Sequence, residues 1–109
     1  MIISRTPFRI SFAGGGSDMP AFYRRETGAV LSTSIDKYMY IAIHPFFDKN
    51  KIQLKYSKTE LVDSISDIKH PIFREVLNMY DLKGVDLNSI ADIPSGTGLG
   101  SSSSFTVGL

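Results

Sequence analysis

The most distinctive segment of the sequence is Pro94-Ser95-Gly96-Thr97-Gly98-Leu99-Gly100-Ser101-Ser102-Ser103, followed by one more serine and the apolar tail FTVGL at residues 105–109. We interpret the tail as the start of a helix, so the glycine-rich loop opens a helix and is not a linker between domains. Such a turn presents several unpaired N–H groups and the positive end of the helix dipole at one point, which suits phosphate oxygens. On these residues alone, phosphate binding and a well-capped structural turn are equal alternatives.

A strand and a helix precede this loop. Residues 85–92 alternate between apolar and polar side chains, which predicts a strand that runs directly into the loop. Further upstream, apolar residues recur at helical spacing from Asp67 to Tyr80, and Gly84 is the expected stop signal.

The middle of the chain favours strands. Residues 28–35 and 38–43 are rich in β-branched and aromatic side chains, and we predict a strand pair joined by a turn at residues 34–37. Residues 52–56 alternate and add a third short strand. Since helices are interspersed with these strands, we predict an α+β domain whose antiparallel sheet has one buried face.

A second glycine cluster, Gly14-Gly15-Gly16, follows the first predicted strand. Alternation places Phe8, Ile10 and Phe12 on one face of that strand. Residues 17–28 then contain cap-type residues, a first-turn proline and a terminal glycine, which predict a short helix.

The composition excludes several classes of protein. The chain has 109 residues with 12 Lys+Arg against 11 Asp+Glu, and a net charge of +1 does not provide the basic surface of a nucleic-acid-binding protein. It has no cysteine, which excludes disulfides, thiolate catalysis and cysteine-bound zinc. Its two histidines are too few for a histidine-rich metal centre. No window is apolar enough to cross a membrane, and the first residues lack a signal sequence. We expect one cytoplasmic domain with neither a membrane nor a nucleic acid as partner.

Two ordered motifs resemble those of the GHMP kinases, the superfamily of galactokinase, homoserine kinase, mevalonate kinase and phosphomevalonate kinase. Residues 94–103 resemble the second motif, Pro-x-x-x-Gly-Leu-Gly-Ser-Ser, and match neither the Walker pattern nor the dinucleotide fingerprint. Residues 6–18, TPFRISFAGGGSD, resemble the first motif in its heptose kinase and fucokinase form. The resemblance spans the chain and is greatest to the D-glycero-D-manno-heptose 7-phosphate kinase group. It implies a ribosomal protein S5 domain 2-like fold, the amino-terminal portion of a GHMP kinase, with a mixed or antiparallel sheet and helices on one face.

The resemblance also implies roles for individual residues. It assigns the phosphates of ATP to Pro94, Gly96, Gly98, Leu99, Gly100, Ser101, Ser102 and Ser103, with Mg²⁺ near Ser101 or Ser102. It places Arg9 at the reacting centre, where a guanidinium offsets charge on a transferring phosphoryl group. It assigns the sugar to Arg9, Gly14, Gly15, Gly16, Ser17 and Asp18. From residue type alone, a surface ion pair for Arg9 and a helix cap for Asp18 are the better interpretations.

The catalytic aspartate, the acidic Mg²⁺ ligand and the third glycine-rich motif of that family lie beyond the part that residues 1–109 resemble. We therefore expect an ATP-dependent sugar kinase acting on heptose 7-phosphate, of which residues 1–109 are an amino-terminal, ATP-binding fragment that is inactive alone. Three alternatives stay open: a fucokinase-like or other sugar kinase, a nucleotide- or sugar-binding module without catalysis, and a structural domain whose exposed sheet edges pair with a second copy.

Overall fold

The computed structural model describes residues 1–13, 20, 24–94 and 101–109. The elements of these residues are, in chain order, β1 (Ile2–Ala13), β2 (Leu31–Pro45), β3 (Ile52–Lys55), β4 (Thr59–Val62), α1 (Pro71–Tyr80), β5 (Val85–Ala91) and α2 (Ser101–Gly108). A single 3-10 turn, Ile65–Asp67, leads into α1. The short helix predicted within residues 17–28 falls largely outside the described residues.

The five described strands form one mixed sheet in the order β1-β2-β5-β3-β4. β1 pairs antiparallel with β2, β2 with β5, and β3 with β4. β3 and β5 are parallel, with Leu54 opposite Leu87, and a parallel pair needs a crossover, which here contains α1. The α+β class and the mixed sheet are thereby confirmed.

β2 is one continuous strand, so the hairpin predicted within it is wrong. The segment at residues 34–37 is not a turn but an irregularity in the pairing with β1, because Pro7 lies opposite Tyr38 while Arg9 lies opposite Ser34. This segment contains neither glycine nor proline, the strongest local turn signals, although Ser34 and Asp36 are compatible with a turn. The pairing with β1 absorbs the extra residues as a bulge.

The helix predicted from Asp67 is confirmed, but its predicted start and its predicted stop residue are wrong. α1 begins at Pro71, after the 3-10 turn. It ends at Tyr80, the last residue of the apolar pattern, and its C-cap is Asp81, whose φ of 50° is left-handed. Gly84 lies in a later turn, directly before β5. Its φ is +67°, and a Cβ on Gly84 would lie 3.0 Å from the backbone of Lys49, so this turn requires glycine.

The core lies between one face of the sheet and the helices. Its buried residues are Phe8, Met39, Ile41, Ile52, Leu54 and Leu87 from the strands, with Ile65, Ile68, Phe73, Leu77 and Phe105 from the helices and the 3-10 segment. Because α1 and α2 contribute to the same cluster, the prediction of helices on one face is confirmed. Along β1 the apolar face is buried only as far as Phe8, since Ile10 and Phe12 are 36% and 67% exposed.

β1 and β4 are the edges of the described sheet. The sequence patterns predict no strand at β4, which has four residues and pairs back on β3. Self-association through the sheet edges stays a prediction. In the part of the chain that the structure describes, no helix has the length and apolar character needed to cross a membrane.

Candidate functional site

A cleft of about 550 Å³ lies beside the start of α2. Strands β2 and β5, the start of α1 and the first turns of α2 form its walls. The lining includes Met39, Tyr56, His70, Ile72, Asp92, Pro94, Ser102 and Phe105. The volume suits a small-molecule ligand, since binding pockets typically enclose roughly 300–1,000 Å³.

The two ends of the glycine-rich segment meet at this cleft. Pro94, shortly after β5, and Ser102, on the first turn of α2, both line it. α2 begins at Ser101, so the helix predicted after the loop is confirmed, and Ser103 is exposed on the same turn. The first N–H groups of a helix have no acceptor within the helix, and the helix dipole is positive at that end. This end of the cleft is therefore chemically suited to an anion.

Several residues that the resemblance assigns to the site lie outside the described residues. They are Gly96, Gly98, Leu99 and Gly100 of the second motif and Gly14, Gly15, Gly16, Ser17 and Asp18 of the first. Their contacts with phosphate and sugar stay predictions.

Arg9 lies on β1 and is not part of the cleft lining. Its side chain is half-buried, and its Nη1 donates a hydrogen bond to Oγ of Ser11 at 3.1 Å. The structure therefore brings Pro94 and Ser102 together at the cleft and places Arg9 on a separate element.

An aromatic cluster stands next to the cleft. The ring of His70 lies 4.7 Å from that of Tyr56 and 5.2 Å from that of Phe105, measured between centroids. Phe73 packs edge-on against Phe105, with ring centroids 5.0 Å apart, and its ring is tilted by 46° relative to that of Tyr56 at 5.8 Å. Such aromatic pairs contribute stability beyond the area they bury. These four side chains join α2 to α1 and to the end of β3.

Glu60, on β4, connects this cluster to the start of α1 by hydrogen bonds. Its Oε1 accepts the N–H of Lys69 at 2.7 Å, and its Oε2 accepts the hydroxyl of Tyr56 at 2.7 Å and the N–H of His70 at 3.2 Å. Burial would raise the pKa of Glu60, but the three hydrogen bonds outweigh burial and lower it. Burial, and then the hydrogen bond to Glu60, raise the pKa of Tyr56 to about 12. The phenol is therefore a stable donor at neutral pH.

His70 is the N-cap of α1. Its Nδ1 accepts the N–H of Phe73 at 3.4 Å, and Pro71 occupies the first helical position. The cap requires an unprotonated Nδ1. Partial burial lowers the pKa of His70, and the negative charge of Glu60 opposes this effect without cancelling it. The neutral ring that the cap needs is thereby favoured.

Acid should destabilise the fold through these two groups, and His70→Asn should remove the part due to histidine. His70 binds its proton more weakly in the folded chain, so stability falls as the pH drops below the unfolded pKa of about 6.5. Glu60 adds a loss in the same direction at lower pH, below its unfolded pKa of about 4.3. Asparagine keeps a cap acceptor and does not titrate. Urea unfolding between about pH 5 and pH 7.5 should therefore give a flatter pH dependence of the unfolding free energy for His70→Asn than for the wild type.

The matched control is His44→Asn, because His44 is exposed near the end of β2. This control should keep the pH dependence of the wild type. Equal slopes for His70→Asn and the wild type would contradict the assignment to His70.

Acidic metal ligands do not cluster in the described part of the molecule. Within it, no group of three or more His, Cys, Asp or Glu side chains could hold a metal ion. Mg²⁺ prefers oxygen ligands and is usually held by one or two carboxylates together with substrate phosphates and waters. The hydroxyl of Ser102 at the cleft is an oxygen that could serve as one Mg²⁺ ligand. The described residues do not form a complete Mg²⁺ site.

Three polar residues of this region are absent from the sequence-based predictions: Glu60, His70 and Asp92. A local signal exists for His70, because it directly precedes a proline at the start of a helical pattern. No comparable signal exists for Asp92, whose Oδ2 accepts the N–H of Tyr38 at 2.9 Å. That contact depends on the pairing of β2 with β5.

Comparison with known proteins confirms the resemblance to the GHMP kinases. Residues 68–109 match the family described as GHMP kinases N terminal domain. The D-glycero-alpha-D-manno-heptose 7-phosphate kinase of Campylobacter jejuni is 30% identical over 120 residues, which cover 99% of this chain. The chain spans 35% of the length of that relative.

Solved structures agree on the fold. A D-glycero-D-manno-heptose 1-phosphate kinase from Bacteriodes thetaiotaomicron gives a TM-score of 0.83 at 25% identity, over 99% of this chain and 39% of that one. The mevalonate kinase of Methanococcus jannaschii gives a TM-score of 0.71 at 21% identity, over 98% of this chain and 37% of that one. The second likeness supports the fold alone. The fold class expected from the two motifs is confirmed.

Proposed function

We propose that residues 1–109 form the amino-terminal, ATP-binding part of a GHMP sugar kinase, which transfers the γ-phosphoryl group of ATP to a hydroxyl of a phosphorylated heptose. The two motifs and their order support the kinase class. The names of two relatives, a heptose 7-phosphate kinase and a heptose 1-phosphate kinase, support the substrate class.

The observation that carries the proposal is the cleft at which Pro94 and Ser102 meet beside the start of α2. The segment between them has the composition of a phosphate-binding loop, with three glycines to let the phosphate approach the backbone. In the described structure, the polar start of α2 adjoins the apolar walls formed by Met39, Ile72 and Phe105. A nucleotide has this combination of a charged end and a flat, largely apolar ring.

In this proposal the N–H groups and hydroxyls at the start of α2 bind the phosphates of ATP. The phosphate-binding residues are Pro94, Gly96, Gly98, Leu99, Gly100, Ser101, Ser102 and Ser103. The hydroxyl of Ser101 or Ser102 would supply one ligand to Mg²⁺. When bound, that ion neutralises charge on the phosphates.

The sugar would bind on the side of the first motif. Arg9 stabilises the negative charge that develops on the transferring phosphoryl group, and a guanidinium is a suitable donor because it stays charged. Gly14, Gly15, Gly16, Ser17 and Asp18 would contact the sugar, with the carboxylate of Asp18 accepting hydrogen bonds from its hydroxyls. The two relatives are named for different phosphate positions, so the carbon that carries the first phosphate has to be tested.

We further propose that the kinase acts in the cytoplasm and that residues 1–109 do not turn over ATP alone. Phosphoryl transfer depends on groups positioned on both sides of the reacting phosphate. The described residues contain no cluster of acidic side chains able to hold a metal.

The test is an ADP-release assay on the product of the complete reading frame that contains these residues. ATP and Mg²⁺ are supplied with D-glycero-D-manno-heptose 7-phosphate, the corresponding 1-phosphate, or fucose in parallel reactions. We expect turnover with the 7-phosphate. Turnover with fucose alone would favour the fucokinase-like alternative, and ATP binding without turnover on any sugar would favour a non-catalytic binding module.

Gly98→Val should weaken ATP binding at least about tenfold while the far-ultraviolet circular dichroism stays unchanged. The valine side chain would occupy the space in which the phosphate approaches the loop. Isothermal titration with ATP measures the loss. Gly28→Ala is the matched control, since Gly28 is exposed and lies outside both motifs. Unchanged ATP binding in Gly98→Val would show that the glycine-rich segment is only a structural turn.

A further inference from the structure

Ser104 is the one polar residue that the described part of the chain buries, with 4% of its surface exposed. It lies on α2, directly after the phosphate-loop motif. Its Oγ donates a hydrogen bond to the carbonyl oxygen of Pro7 on β1 at 2.9 Å. A buried hydroxyl is costly unless it is hydrogen-bonded, so this bond fixes where the first turns of α2 lie against β1.

The acceptor of this bond, the carbonyl of Pro7, lies where the pairing between β1 and β2 becomes irregular. The β1–β2 pairing is irregular between Pro7 and Arg9, where β2 contains extra residues. At such a bulge the ladder is locally disrupted and the strand changes direction. The pairing with β2 therefore constrains the backbone that leads to Arg9 less tightly than it constrains residues 2–7, which pair in regular register. The hydrogen bond from Ser104 holds β1 just before that point.

A second hydrogen bond docks the other end of the same helix. Oγ of Ser4 donates to the carbonyl oxygen of Gly108 at 2.7 Å. The helix and strand approach closely there, because a Cβ on Gly108 would lie 2.8 Å from Oγ1 of Thr6. The two bonds are alike in type and join the same two elements, but only the Ser104 bond is next to both motifs.

We infer that Ser104 is a positioning residue, which holds the start of α2 in register with the part of β1 that carries Arg9. This inference rests on the proposed function for the roles of Arg9 and of the serines at residues 101–103. Phosphates bound at the start of α2 and a guanidinium on β1 act together only if their separation is fixed, and small displacements of such groups lower rates strongly. The bond between Ser104 and Pro7 links the two elements directly.

The kinetic test compares Ser104→Ala with Ser4→Ala in the complete kinase. Ser104→Ala should lower kcat about tenfold and change the KM for ATP by less than about threefold, because the phosphates still bind but are misaligned with Arg9. Ser4→Ala removes a hydrogen bond of the same type between two residues outside both motifs and should change kcat by less than about twofold. Equal values of kcat in the two variants would overturn the inference.

A double-mutant cycle separates positioning from general loss of structure. If Ser104 acts through Arg9, then Ser104→Ala should lower kcat by less than about twofold when Arg9 is already alanine. A merely structural role would give the same tenfold loss in both backgrounds. That additive result would contradict a link between Ser104 and Arg9.

Amide hydrogen exchange tests the inference even if the wild type is not a kinase. An absence of turnover with every sugar would refute the proposed function and would leave this readout unaffected. Exchange in the peptide covering residues 8–11 should accelerate about fivefold in Ser104→Ala, because one net hydrogen bond no longer opposes local opening. Ser4→Ala should leave that peptide unchanged. Equal exchange of residues 8–11 in both variants would overturn the positioning role.

Discussion

Arg9→Ala should lower the kcat of the proposed kinase, made from the complete reading frame, about a hundredfold to a thousandfold, with the KM for ATP changed by less than about threefold. We expect the loss mainly in kcat because Arg9 is proposed to stabilise the negative charge that develops in the transition state. The phosphates of bound ATP are assigned to the start of α2, a different element. Steady-state kinetics with the heptose phosphate that supports turnover measures both constants.

The structure supports a fixed position for this guanidinium. Arg9 lies in the middle of β1, its side chain is half-buried, and its Nη1 donates to Oγ of Ser11. A positioned donor is effective in catalysis because it does not have to reorganise when charge develops.

Arg5→Ala is the matched control for charge and strand. Arg5 lies on the same strand, where its guanidinium stacks on the ring of Tyr38 at 4.5 Å. Loss of this exposed cation–π contact should cost about 0.5–1 kcal/mol of stability and change kcat by less than about twofold. Equal losses of kcat in Arg5→Ala and Arg9→Ala would show that kcat depends on the total positive charge of β1 and not on Arg9 in particular. A raised KM for ATP with normal kcat in Arg9→Ala would show that Arg9 binds the phosphates of ATP in the ground state and does not act in the transition state.

Local patterns predict the elements that carry the second motif. The alternation of β5, the helical spacing of α1 and the glycine-to-apolar sequence that opens α2 all depend on neighbours within one element. Each of these elements forms, although α1 begins later than its pattern indicates, at Pro71. The two motifs add the family resemblance, because residues such as Pro94 and Ser102 are recognised by type and spacing before any contact is known.

Features that depend on pairing between distant residues are not predicted. The continuity of β2 through residues 34–37 depends on β1, which compensates for the extra residues by an irregular register. The walls of the cleft come from positions as far apart as Met39, His70 and Phe105. No periodicity within one segment contains that information. Glu60 is an example: it acts as an acceptor for three donors only once β4 pairs with β3 and α1 begins beside it.

Phe73→Ala should lower the free energy of unfolding by about 3–5 kcal/mol, the range found when a buried phenylalanine is removed. Phe73 is fully buried on α1 and contacts three other rings, those of Tyr56, His70 and Phe105. Alanine would leave a cavity at the junction of α1, α2 and the end of β3. These rings also hold the start of α1 beside the cleft, so the loss reaches the candidate site. Urea unfolding, monitored by far-ultraviolet circular dichroism, measures the change.

Phe47→Ala is the control for the residue type, since the side chain of Phe47 is 92% exposed. Its expected effect is within about 0.5 kcal/mol, as for most surface substitutions. Phe73→Leu should fall between the two because leucine fills much of the cavity. A loss below about 1.5 kcal/mol in Phe73→Ala would mean that the surrounding rings collapse into the space, because the cost depends on how far the site relaxes.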